Sequence, residues 1–105
     1  MDNFKVIYKI LRTLEKSMDD EQFSVLSISA QKMGITFERW EKIMIMMQDE
    51  GFIKGIVVSR SLEDNHRHIQ EPIYPEITIK GLEYLDENSM MAKAKSLLKA
   101  AGEIF

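Results

Sequence analysis

The sequence predicts a mainly α fold carrying a small antiparallel β-sheet, and three observations predict it. The first is GITFERWEKIMIMMQDEGFIKG, residues 34–55, which reads as a tight turn, one helix, a glycine stop and a strand that leaves at once. The second is a short helical stretch closing just before it, with only a few residues between, so that two helices must cross steeply as in a helix-turn-helix. The third is the β-branched and aromatic run Phe52–Arg60, followed by turn residues and a possible return strand. Helix, turn, helix, glycine and hairpin in that order make a winged helix-turn-helix.

The elements follow from local chemistry. Asn3 to Met18 reads as a first helix, with Phe4, Ile7, Tyr8, Leu11 and Leu14 on one stripe and Asp2 or Asn3 as its cap. Residues 18–21 form a solvated loop, and Phe23 to Leu26 is expected as a short strand pairing with the base of the hairpin. Ser29 caps a short helix, Ala30 to Met33, which Gly34 ends. Thr36 caps the next helix through its hydroxyl, and Glu38 suits the positive end of the helix dipole. Trp40, Ile43, Met44 and Met47 recur at helical spacing and face the core. Gly51 stops the helix in the left-handed conformation. The stretch 52–60 is expected as one strand, Glu63 to His66 as a turn, and Arg67 to Gln70 as its return, until Pro72 and Pro75 break the ladder. Thr78 caps a fourth helix, Ile79 to Glu87, with Leu82 and Leu85 inward. Asn88 and Ser89 separate it from a last helix, roughly Met90 to Ile104. The chain is read as one domain: a core over residues 1–88 and a C-terminal amphipathic helix over 89–105.

Composition bounds the function. The 105 residues are 45% hydrophobic and 30% charged, an ordinary globular balance. There is no cysteine, which removes disulfides, thiolate catalysis and Cys-based metal sites. The N-terminus lacks the continuous apolar core of a signal peptide, and no apolar run approaches the ~20 residues that span a bilayer. A cytoplasmic protein is expected, with no membrane partner. A net charge of −3 and a pI near 5.4 count against a strongly basic nucleic-acid binder, although a local basic face works on an acidic protein. No Gly-rich phosphate loop, nucleophile motif or cleft-forming acid pair occurs, so no enzyme, cofactor or small-molecule ligand is expected.

The candidate sites lie on the third helix and the hairpin. With Trp40, Ile43, Met44 and Met47 inward, the outward residues are Glu38, Arg39, Glu41, Lys42, Ile45, Met46 and Asp49. Thr36, Arg39 and Lys42 are candidate contacts to duplex DNA from the major groove. Glu38 and Glu41 beside them would repel phosphates, and the same residues also make an ordinary solvated helix surface. Ile45 and Met46 are expected to be covered by the C-terminal helix or by another subunit. Arg60, His66, Arg67 and His68 on the hairpin are candidate backbone contacts, which give affinity without reading sequence. His66 and His68 on a strand would share a face with Asp64, the donor types of a metal site, but no third strong ligand is fixed and no metal is expected. Met91, Ala94, Leu97, Leu98, Ala101 and Phe105 form an apolar stripe on the last helix, which either folds back on the first helix or, the favoured reading, makes the seam of a homodimer.

The stretches NFKVIYKILRTLEKSMD, ERWEKIMIMMQDEGFIKGI and EITIKGLEYLDEN together resemble the YjcQ-like family of small winged-helix proteins from Gram-positive bacteria and their prophages. The resemblance spans most of the chain and is weakest over residues 61–75. The spacing of Ile77, Thr78, Gly81, Tyr84 and Leu85 recurs in many winged-helix proteins just after the wing. The resemblance implies a winged-helix fold and a DNA-binding or regulatory role. The alternative is a protein–protein interaction module of the same fold that does not bind DNA.

Overall fold

A computed structural model describes residues 2–89, and the class is the expected one, mainly α with small antiparallel β elements. The stripe Met91, Ala94, Leu97, Leu98, Ala101 and Phe105 lies outside the described residues. Helix α1 runs Asn3–Lys16, α2 Ala30–Met33 and α3 Phe37–Asp49. Strands follow at β1 Ile53–Lys54, β2 Val57–Arg60, β3 Arg67–Gln70 and β4 Glu76–Ile77, and α4 covers residues 79–89.

The caps are where local chemistry put them. Asp2 accepts from the Phe4 amide, Ser29 from Lys32, Thr36 from Arg39 and Thr78 from Gly81. At the end of α3, Gly51 stands at φ +83°, the Phe52 amide reaches the Met47 carbonyl and the Gly51 amide reaches Gln48. That pair of bonds, around a left-handed residue, satisfies carbonyls the helix leaves open. Trp40, Ile43, Met44 and Met47 are buried as expected, and the Trp40 indole N–H donates to the Ile28 carbonyl at 2.7 Å.

Several expectations change. The buried ridge of α1 is Val6, Ile10 and Leu14 with Leu11, whereas Phe4 is 70% exposed and Ile7 and Tyr8 are only partly buried. Two overlapping stripes were available on this helix, and packing on α2, α3 and β4 selects the aliphatic one. The helix also ends earlier, passing into a 3-10 turn at Ser17–Asp19. Residues 23–26 do not form a strand. The Ser24 carbonyl accepts from both the Ser27 amide and its hydroxyl, which curls the chain into a 3-10 turn at Val25–Ile28. The partner of the hairpin base is β4 instead, with Ile53 opposite Ile77 and Lys54 opposite Glu76.

The stretch 52–60 is two strands in two separate antiparallel pairs, β1 with β4 and β2 with β3. The break is built by a side chain from α3. The Gln48 amide accepts from the Ile56 N–H at 2.9 Å and donates to the Ile56 carbonyl at 2.8 Å, taking both backbone groups out of any ladder. Gly55 beside it turns at φ +94°. The return strand and the turn are as expected, with Asn65 at φ +58° and Asp64 accepting from the His66 amide. Finally, α4 does not stop at Asn88: residues 88 and 89 are helical, and the Asn88 side chain donates to the Tyr84 carbonyl one turn back. Leu85 is buried and Leu82 half-buried, beside Tyr8 and Arg12 of α1. Among the described residues, no helix is long and apolar enough to cross a membrane.

Candidate nucleic-acid interface

Helix α3 and the β2–β3 hairpin lie side by side. Between them is a groove of about 360 Å³ lined by Lys42, Ile45, Met46, Arg60, Asn65, His66 and Arg67. Four of the residues singled out from sequence therefore meet at one place: Lys42 from the helix, and Arg60, His66 and Arg67 from the hairpin. Each is held differently. Lys42 is exposed. Arg60 donates to the Asn65 carbonyl at 2.6 Å, bracing the turn that carries it. Arg67 pairs with Asp49 at 2.9 Å, which ties the return strand to the end of α3. That pair is half-exposed on both sides, so it costs little to open toward a competing anion.

The other three sit elsewhere. Thr36 is committed to capping α3, and Arg39 donates to the Asn3 side chain at 2.9 Å, at the helix end away from the groove. His68 points to α3 rather than outward.

Its partner is Glu41, and here the sequence reading is corrected. Glu41 was expected outward among phosphate-facing residues but is buried, with only 7% of its surface exposed. One carboxylate oxygen accepts from the Ile69 amide at 3.0 Å and the other lies 2.9 Å from His68 Nδ1. On the far side of the ring, His68 Nε2 lies 2.9 Å from Asp64. A buried carboxylate must find donors, and the hairpin supplies them. These bonds hold the His68 pKa above its ordinary 6.5, Asp64 contributing first and Glu41 second. The Asp64 carboxyl is held below its ordinary 3.8, first by the His66 amide and then by His68. The two histidines do not share a site: the His68 ring is clamped between carboxylates on opposite edges, and among the described residues no cluster of three or more His, Asp or Glu has the arrangement of a metal site.

Ile45 also moves inward, 3% exposed beneath the hairpin, while Met46 stays half-exposed on the groove. Ile45 shares that groove with Arg60, Asn65, His66 and Arg67 of the hairpin, while the C-terminal helix expected over it lies outside the described residues. A signal for Glu41 was present in the sequence. It stands one turn before Ile45, so a helix edge that buries the isoleucine draws the carboxylate in with it.

A second, larger groove of about 850 Å³ shares no lining residue with the first. It runs between the 3-10 turn at Val25–Ile28, the start of α3 and residues 71–76. Leu26, Phe37 and Tyr74 on it are more than half exposed, and Glu21, Glu71 and Glu76 line its rim.

Comparison with known proteins places these features in context. The chain matches the YjcQ protein family over residues 8–104. One relative, the uncharacterised protein YjcQ of Bacillus subtilis strain 168, is 31% identical over 72 residues, covering 69% of this chain and 71% of that one. No solved structure matches.

Proposed function

The chain belongs to the YjcQ protein family, and from that premise we propose that it is a winged-helix protein that binds duplex DNA as a small transcriptional regulator. In this reading α3 enters the major groove and the β2–β3 hairpin is the wing on the flanking backbone. The observation that carries it is the gathering of Lys42, Arg60, His66 and Arg67 around one groove while the carboxylate of Glu41 is turned inside. One of the two charges that would have repelled phosphates beside Lys42 is thereby withdrawn from the surface, while Glu38 stays exposed. Of the nearby acids, Asp49 and Asp64 are each matched by a hairpin cation or imidazole. An acidic protein can present a locally basic strip in this way.

The test is duplex binding by fluorescence anisotropy over a salt series. Affinity should fall linearly in log–log form, as release of condensed counterions requires. Lys42→Glu and Arg60→Glu should each weaken binding about tenfold and flatten the salt slope by roughly one ion. No binding to pooled genomic duplex at low salt would end this reading.

A second reading, an interaction module that leaves DNA alone, is favoured by the apolar groove beside Phe37 and Tyr74. Capture of partners from lysate with and without nuclease separates the two. Partners that all disappear after nuclease treatment count against the module.

A further inference from the structure

The cluster of Glu41, Asp64 and His68 has a property that sequence spacing does not suggest. A carboxylate has no hydrogen to give, so each of its oxygens can only accept. Both nitrogens of the His68 ring lie 2.9 Å from a carboxylate oxygen, Nδ1 from Glu41 and Nε2 from Asp64. Both bonds exist together only when both nitrogens carry hydrogen, that is, when the ring is imidazolium. A neutral ring would point a lone pair at one carboxylate across the same 2.9 Å. The ring would then have to turn, or the hairpin to move.

The partners sit on different elements, which gives the proton mechanical leverage. Glu41 belongs to α3, Asp64 to the turn, and His68 to β3. We propose that His68, Glu41 and Asp64 form a proton-operated clasp that seats the hairpin on α3 and so makes the presentation of Lys42, Arg60 and Arg67 depend on pH. The nucleic-acid part of this rests on the function proposed above; the clasp itself does not.

The surroundings define how the clasp behaves. On α3 the charged neighbour of Glu41 is Lys42, which faces the outer groove. In the turn, His66 bonds Asp64 through its backbone amide. Across the ladder from His68 stands Ser59, uncharged, followed by Arg60, whose guanidinium is held by Asn65. On its own strand, Arg67 is drawn to Asp49. Each carboxylate of the clasp thus keeps one backbone donor without His68: Glu41 has the Ile69 amide and Asp64 the His66 amide. Losing the proton therefore loosens the hairpin rather than unfolding it.

The direction follows. The folded-state pKa of His68 is raised, so its contribution is complete below the ordinary 6.5 and is lost as pH rises through the raised value. The pKa of Asp64 is lowered, so its contribution is complete above the ordinary 3.8 and is lost as pH falls through the lowered value. The clasp is closed between those limits and opens on the alkaline side.

The experiment uses the full chain without DNA first. Imidazole ¹H–¹⁵N spectra are followed through a pH series, together with exchange of the Ile69 amide corrected for its intrinsic rate. His68 should titrate above 6.5, Ile69 protection should fall with the same midpoint, and each unit of separation should correspond to about tenfold in the open–closed equilibrium. Glu41→Gln keeps an acceptor for Ile69 but removes the charge, so the pH step should shrink. His66→Gln should leave it in place. A His68 midpoint at or below 6.5, or Ile69 protection indifferent to it, would overturn the clasp. Duplex affinity is then measured across the same range. A fall that tracks the His68 midpoint and is flattened in Glu41→Gln supports the coupling, and an affinity independent of that midpoint refutes it. A titrating clasp in a protein that binds no duplex at any pH would sink the regulator reading and leave the clasp standing.

Discussion

Trp40 fills the core and also donates to the Ile28 carbonyl, so substitution can separate its two roles. Trp40→Phe keeps an aromatic ring but strands a buried carbonyl, and urea denaturation should show a loss of about 1–3 kcal/mol. Trp40→Ala adds a cavity and should cost roughly 3–5 kcal/mol. Gln48 offers a second case, because its half-buried side chain holds both backbone groups of Ile56. Gln48→Ala should destabilise by about 1–3 kcal/mol and speed amide exchange at Ile56. At this scale the sequence was informative wherever the partner is near. Ser29, Thr36 and Thr78 were legible as caps because the amide each one serves is three residues on. The partners of Glu41 were not legible, because they stand 27 and 28 residues away in the hairpin, although its helix edge hinted at its burial.

Between elements, the junction of α3, β1 and α4 decides how the hairpin is launched. The Thr78 hydroxyl accepts from Gly81 and donates to the Gly51 carbonyl, joining the first turn of α4 to the end of α3. Thr78→Ala should therefore cost more than Thr36→Ala, for which a plain cap suggests about 1 kcal/mol. Thermal melts of the two variants side by side measure the difference. Gly81 is where α4 meets β1. A Cβ there would lie 2.3 Å from the Phe52 carbonyl oxygen, a backbone atom that cannot swing aside. Gly81→Ala should lift α4 from the strand and cost roughly 1–3 kcal/mol. The glycine of the Ile77-to-Leu85 spacing thus has a packing reason that the spacing alone does not disclose. The face of α1 was likewise illegible: a helix with two overlapping apolar stripes does not say which its neighbours will bury. Nor could the run 52–60 reveal its own break, since Gln48 makes it from outside the run.

For the molecule as a whole, α1, α2, α3, β1 and α4 all contribute to one hydrophobic core. Trp40 fluorescence and far-ultraviolet circular dichroism should consequently report a single coincident unfolding transition. Two transitions would mean that the hairpin and α4 form a unit of their own. The order of helices and hairpin was legible because glycine stops and caps punctuate it. The groove was legible only in part: Lys42, Arg60, His66 and Arg67 converge, while Arg39 and His68 are engaged elsewhere. If the chain pairs through residues 91–105 as its sequence suggests, light scattering should return twice the 12.2 kDa chain mass, and Leu97→Glu should return it to the monomer.

The pairing of β1 with β4 has a practical corollary. Ile53 opposite Ile77 and Lys54 opposite Glu76 fasten the chain beneath the hairpin, so everything between them leaves and returns through a fixed gate. Lengthening such a fastened excursion raises its entropic penalty only logarithmically. The apex, where Leu62 stands fully in solvent, is accordingly a permissive place to attach a dye, graft an epitope or vary reach from one relative to the next.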